Sequence, residues 1–184
     1  SMNAVIEARD ADSIYDVPLI MQEEELDKVV LEKLHLPIVS TAELSKWKSF
    51  TNKLKKPNSE VTIGLIGKYV ELKDSYKSIS ESFIHAGVSN DTKVNLKWIH
   101  SEKINDSNVS DELKELNGIL VAPGFGSRGI PGKISAVKYA RENKIPFFGI
   151  CLGMQCAVIE FARNVLNYKD AHRTEIMDKT PYPV

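Results

Sequence analysis

Pro146-Phe147-Phe148-Gly149-Ile150-Cys151-Leu152-Gly153 is the stretch that decides how this chain folds. Its first five residues form a short apolar run, the pattern of a strand buried on both faces, and Leu152 to Leu166 carries apolar residues at helical spacing. Between them, Gly149-Ile150-Cys151-Leu152-Gly153 has the G-x-nucleophile-x-G form of a nucleophile elbow, with cysteine in place of serine. A nucleophile on a tight strand-to-helix turn is held in a strained backbone conformation, and the flanking glycines keep the turn free of steric clash. The helix that follows points free amides and the positive end of its dipole at the thiol, which favours thiolate. The amide of Leu152 is also placed to bind a developing oxyanion.

Working outward, the same alternation repeats three times upstream. Val61-Thr62-Ile63-Gly64-Leu65-Ile66 predicts a strand, followed by a helix from about Ser75 to Ala86 that ends before Gly87. Val94-Asn95-Leu96-Lys97-Trp98-Ile99 predicts a second strand, with a short helix over Ser110 to Leu116. Gly118-Ile119-Leu120-Val121 predicts a third, stopped by Pro123-Gly124 and followed by a helix from Pro131 to Asn143. Four strand–helix alternations imply right-handed crossovers and an α/β fold, a doubly wound parallel sheet with helices on both faces. Ligands of such sheets sit at the carboxyl ends of the strands, which directs attention to the turns after Val121 and Ile150.

The first fifty-odd residues differ. Ala4-Val5-Ile6-Glu7-Ala8 reads as a short extended piece, and Ser13 to Pro18 follows. Leu26, Val29, Val30 and Leu34 then recur at helical spacing behind Glu23-Glu24-Glu25, acids that suit a helix start. Ser40-Thr41-Ala42-Glu43 has the spacing of a capping box before a second helix through Leu44 and Trp47. Asn52 to Glu60, mostly polar with Pro57 and Asn58, marks a boundary.

Composition narrows the function. The chain has 184 residues, 42% hydrophobic and 27% charged, an ordinary globular balance with room for one domain and an appendage. A net charge of −1 lacks the basic excess of a nucleic-acid binder. No apolar run approaches a membrane span and no leader pattern opens the chain, so no membrane partner is expected and a reducing, cytoplasmic setting fits. Of its two cysteines, Cys151 and Cys156, the second falls in the interior of the predicted helix among Ala157 and Val158 and reads as a small core residue.

Pro123-Gly124-Phe125-Gly126-Ser127-Arg128-Gly129 satisfies G-x-G-x-x-G after a strand. A dinucleotide site would need an acidic residue about 20 positions on, where this chain has Gly149 to Cys151. The better physical reading is a loop that brings backbone amides to a carbonyl reacting beside Cys151. A cysteine nucleophile normally works with an imidazole. His35 lies in the appendage, His85 within a predicted helix, His100 at the end of the second strand and His172 beyond the elbow helix, and none has a clear route to the thiol.

Three segments resemble a known family. Val5 to Pro18, Gly67-Lys68-Tyr69-Val70-Glu71-Leu72 and Gly149 to Gln155 look like CTP synthase, the last in a form shared by class I glutamine amidotransferases. The resemblance implies a flavodoxin-like class I glutaminase fold preceded by a helical interdomain linker. Residues 1–56 correspond to the end of a synthetase domain and the linker, and 57–184 to the first part of the glutaminase domain. It implies that Cys151 attacks the side-chain amide of L-glutamine to give a glutamyl thioester and ammonia. Gly124 and Leu152 would form the oxyanion hole. Phe125, Gln155 and Glu175 would bind glutamine, Glu175 through its ammonium. The loop from Gly126 to Lys133, with Arg128 and Gly129, would be a lid that responds to GTP. Pro131 stands where that lid usually has a glutamate. The full enzyme would be a homotetramer using ATP, UTP and Mg²⁺ in a synthetase domain, with no metal or cofactor held by this chain. The family's His-Pro-Glu motif, its general base and orienting carboxylate, does not occur in this sequence, so the chain alone is expected to be nearly inactive. The alternatives at this point are a non-catalytic assembly scaffold and a cysteine hydrolase or redox sensor of related α/β type.

Overall fold

The computed structural model describes residues 4–40 and 42–184, and its packing divides between Pro57 and Asn58 into two units. The amino-terminal unit holds three helices, α1 (Val17–Glu23), α2 (Leu26–Lys33) and α3 (Ser45–Lys55). No residue of α1 or α2 is buried. The unit is gathered by aromatic rings instead. Tyr15 lies 5.9 Å from Trp47 and 5.1 Å from Phe50, centroid to centroid, and the Trp47 indole N–H donates to the Tyr15 carbonyl at 2.8 Å. Lys55 Nζ meets the nearly buried Asp16 carboxylate at 2.8 Å.

This unit departs from several sequence expectations. The acidic run does not start one helix: Glu23 ends α1, and Glu25 is the N-cap of α2 with φ 58°, leaving Asp27 in the first turn. The box expected at Ser40 is displaced too, with Thr41 outside the described residues. Helix α3 begins at Ser45, and the Glu43 carboxylate accepts from the Ser45 amide at 2.6 Å instead of reaching back to a serine. The expected boundary also starts late, because α3 continues to Lys55.

The second unit carries a four-stranded, all-parallel sheet in the order β2-β1-β3-β4. In chain order it runs β1 (Ser59–Gly67), α4 (Lys77–Ser89), β2 (Thr92–His100), α5 (Val109–Leu113), β3 (Gly118–Val121), α6 (Ile130–Glu142), β4 (Phe147–Gly149) and α7 (Leu152–Asn164). The period of two along each strand sorts the core. Ile66, Ile99, Ile119 and Val121 face one side, under Val137 and Ala140 of α6 and Leu152 and Cys156 of α7. Leu65, Leu120 and Ala122 face the other, with Tyr76 and with Ile79 and Phe83 of α4. Helices therefore cover both faces, as the alternation predicts. On the first face a buried carboxylate ties α6 to α7: Glu160, 1% exposed, accepts from Arg141 Nη2 at 2.8 Å and Nε at 3.0 Å. Gly87, expected to follow the end of α4, lies inside it. A Cβ there would stand 2.4 Å from the Thr92 carbonyl, so the glycine lets the helix lie close on β2.

Candidate active site

Strands β1 and β3 are neighbours, but their crossovers leave in opposite directions, to β2 and to β4. Chains leaving the carboxyl ends of such strands frame a crevice. Lys68 follows β1, Ala122 to Gly129 follows β3 and Cys151 follows β4. The Ala122 amide donates to the Ile66 carbonyl at 2.9 Å and the Ile150 amide to the Val121 carbonyl at 3.1 Å, which locks the three strand ends together.

Cys151 has φ 52° and ψ −108° at the N-terminus of α7, and its side chain is exposed. A non-glycine residue there is strained, and such strain is a feature of nucleophile turns. The flanking glycines are required by contact. A Cβ at Gly153 would lie 2.1 Å from the Val121 carbonyl, and one at Gly149 would lie 2.5 Å from the Gly153 backbone. Cys156 is the opposite case: it is wholly buried, and burial pushes its thiol up to about 11. Both cysteines are free.

Gly124 stands beside this turn, the position of its absent Cβ 3.7 Å from Leu152 Cδ2. Leu152 opens α7, whose first-turn amides lack helical acceptors. Gln155 is one turn along, its amide donating to the Cys151 carbonyl at 3.1 Å, and its side-chain Oε1 is buried without a partner. Gly124, Cys151, Leu152 and Gln155 thus fall together. Phe125 is 80% exposed, although its carbonyl accepts from Lys68 Nζ. Arg128 Nε is 3.3 Å from Glu102, and Gly129 caps α6 with φ 76°. The largely exposed Glu175 carboxylate pairs with Arg173. Neither well-placed histidine meets the thiol: His100 Nε2 lies 3.7 Å from Glu71 and Glu102, and His172 Nδ1 accepts from the Arg173 amide. Burial lowers the basicity of His172, and Arg163 and Arg173 lower it further. Among the described residues no three His, Cys, Asp or Glu side chains converge as metal ligands, and no helix is long and apolar enough to cross a membrane.

A cleft of about 410 Å³ lies against Ser127, Ile134, Lys138, Arg163 and His172 and includes neither Cys151 nor Gly124. Two residues next to the thiol turn escape a reading by motif. Lys68 is 7% exposed, and Lys133, wholly buried, donates from Nζ to the Ala122 carbonyl at 2.7 Å. The sequence held one signal for the second, a lysine in the apolar stripe Ile130, Lys133, Val137, Ala140.

Residues 71–180 match the family model for class-I glutamine amidotransferases. The chain belongs to that family. Within it, the chain is 60% identical over its whole length to the CTP synthase of Cytophaga hutchinsonii, covering 34% of that protein. It is 61% identical to that of Flavobacterium psychrophilum and 56% identical to that of Methanocaldococcus jannaschii, each over 98% of this chain and 34% of the relative. It therefore spans about a third of the length of these curated relatives. Among solved structures, the Trypanosoma brucei CTPS glutaminase domain with bound acivicin superposes with a TM-score of 0.63 at 36% identity. That match covers 67% of this chain and 48% of the other. The doubly wound parallel sheet expected from the strand–helix alternation is thus the observed one, and so is the class I glutaminase fold that the resemblance implied.

Proposed function

We propose that this chain is the linker and first glutaminase segment of a CTP synthase, residues 1–56 ending a synthetase domain and its linker and 57–184 opening the glutaminase domain. The observation that carries the reading is the strained, exposed Cys151 at the mouth of α7, set between two glycines that its neighbours require. The Cys151 thiolate attacks the side-chain amide carbon of L-glutamine. A C–S bond forms, and the amides of Gly124 and Leu152 take the charge on oxygen. The C–N bond then breaks as the leaving nitrogen gains a proton, and water hydrolyses the thioester to glutamate. Gln155, whose side-chain Oε1 is buried without a partner, and Glu175 hold the amino-acid end of the substrate, Glu175 pairing with its ammonium, and Phe125 lines the pocket.

The ammonia aminates UTP in an ATP- and Mg²⁺-dependent ligase reaction carried out by the synthetase domain of the same enzyme. On this reading the whole enzyme is a cytoplasmic homotetramer, and Arg128 and Gly129 belong to a lid answering GTP. The base that turns the thioester over comes from a part of the enzyme outside these residues.

The test is Cys151→Ala in a full-length CTP synthase carrying this chain. Glutamine-dependent CTP formation is expected to fall by at least about 10³-fold, with ammonia-dependent formation kept. Acivicin is expected to label Cys151 in the unaltered protein. An alanine variant that still uses glutamine overturns the reading, and a scaffold would show neither labelling nor glutamine use.

A further inference from the structure

Lys133 is wholly buried, and burial of that kind is rare for lysine without a carboxylate partner. None of the ion pairs among the described residues includes it. Its Nζ donates to the carbonyl of Ala122, and the same Nζ is 3.7 Å from where a Cβ on Gly124 would stand. The groups acting on it are few. The thiols of Cys156 and Cys151 favour its charged form, Lys68 and Arg173 oppose it, and burial outweighs them, lowering it to about 8. An isolated buried cation costs stability, and replacing it by an apolar group of similar volume is often neutral or stabilising. Packing alone gives no reason for a lysine here. Its placement gives one: Ala122 and Gly124 flank Pro123 in the loop whose amide faces the reacting carbonyl, and the anion that Lys133 lacks is formed in the reaction itself.

We propose that Lys133 is a positioning residue for glutamine hydrolysis, its ammonium pinning the Ala122 carbonyl so that the Gly124 amide meets the oxyanion, and holding a fixed positive charge beneath the Cys151 turn. This rests on the glutaminase reading above. Lys68, bonded to the Phe125 carbonyl, grips the other end of the same loop, so the peptide groups between Ala122 and Phe125 are held from both sides.

The experiment compares Lys133→Met with wild type in a full-length CTP synthase carrying this chain. Misplacing an oxyanion donor is expected to lower kcat for glutamine hydrolysis about 10- to 100-fold, with KM for glutamine within about threefold. The ammonia-dependent rate of the same preparation is expected to be unchanged and the melting temperature equal or higher, results that a merely structural lysine would not give. A glutamine kcat within twofold of wild type overturns the proposal. So does a loss shared equally by the ammonia reaction and accompanied by a lower melting temperature. A wild-type enzyme without glutamine-dependent activity overturns the glutaminase reading itself, whereas an active wild type with an equally active Lys133→Met removes only the role of Lys133.

Discussion

The two units of this chain are built on different physics. In the sheet unit the central strands β1 and β3 send alternate residues to two covered faces, and Leu65, Ile66, Leu113, Val121, Leu152 and Ile159 are sealed from solvent. In the helical unit α1 and α2 bury nothing, and Leu34, Leu36 and Val39 are exposed by 61%, 50% and 86%. A buried Leu draws on the full hydrophobic transfer, whereas a half-exposed one draws on little of it. The contrast also explains where the chemistry lies. Holding Cys151 in a strained conformation requires surroundings that over-determine it, and only the sheet unit supplies them.

The sharpest way to break this contrast is to make the same truncation in both units. Leu65→Ala is expected to cost about 3–5 kcal/mol, since the residue is sealed between β-sheet and α4 and the site cannot collapse. Leu34→Ala is expected to stay within about 0.5 kcal/mol. Urea unfolding of both variants measures the difference. Equal losses would mean that the amino-terminal apolar surface is covered in solution.

A smaller effect separates the units by pH. Lys133 holds its proton to about 10.5 in the unfolded chain and to about 8 in the fold, where burial opposes its charge. Between these values the unfolded state binds more protons, so stability rises with pH, by about 1.4 kcal/mol per unit and about 2 kcal/mol from pH 8 to 9.5. Lys133→Met lacks this gain, so its stability advantage over wild type should shrink across that window. Lys55 in the helical unit goes the other way: its hydrogen bond to Asp16 raises it, it stays charged throughout, and it contributes no slope there. Urea midpoints of wild type and Lys133→Met at pH 7.5 and 9.5 decide the matter. A constant gap would show that Lys133 is solvated.

The same difference governs what could be read in advance. The four strands and the order of helices were legible because apolar runs such as Val61–Ile66 and Gly118–Val121 need cover on both sides. Helix α1 was not: Val17-Pro18-Leu19-Ile20-Met21 is too short for a period to emerge, and its acidic end imitates the start of α2. Gly87 looked like a terminus because its use, close approach to the Thr92 carbonyl, is a tertiary contact. In the site, the elbow announced itself through Gly149 and Gly153, whose spacing is local. Lys133 did not, because its partner at Ala122 lies across the crossover from β3, and only the fold shows that the α6 stripe faces that strand end. The pairing of Glu175 with Arg173 was equally out of reach, since it depends on how the chain turns after α7.

The most local expected effect tests the helical unit on its own terms. Trp47 stacks on Phe50 at 5.6 Å, tilts against Tyr15 and donates to the Tyr15 carbonyl. Two ring contacts worth about 0.5–1.5 kcal/mol each and one hydrogen bond worth about 1 kcal/mol place Trp47→Ala at a local loss of about 2–4 kcal/mol. Because the rings replace a core in this unit, the loss should appear as faster amide exchange along α3, while the amides of β1 and β3 keep their protection. Protection falling equally in the strands would show that the two units open together, and that the ring cluster stabilises the sheet as well. Unchanged exchange in α3 would show the opposite failure, a unit held by its ion pairs and backbone with the rings contributing little. Faster exchange confined to α3 is the outcome that two separately stabilised units require.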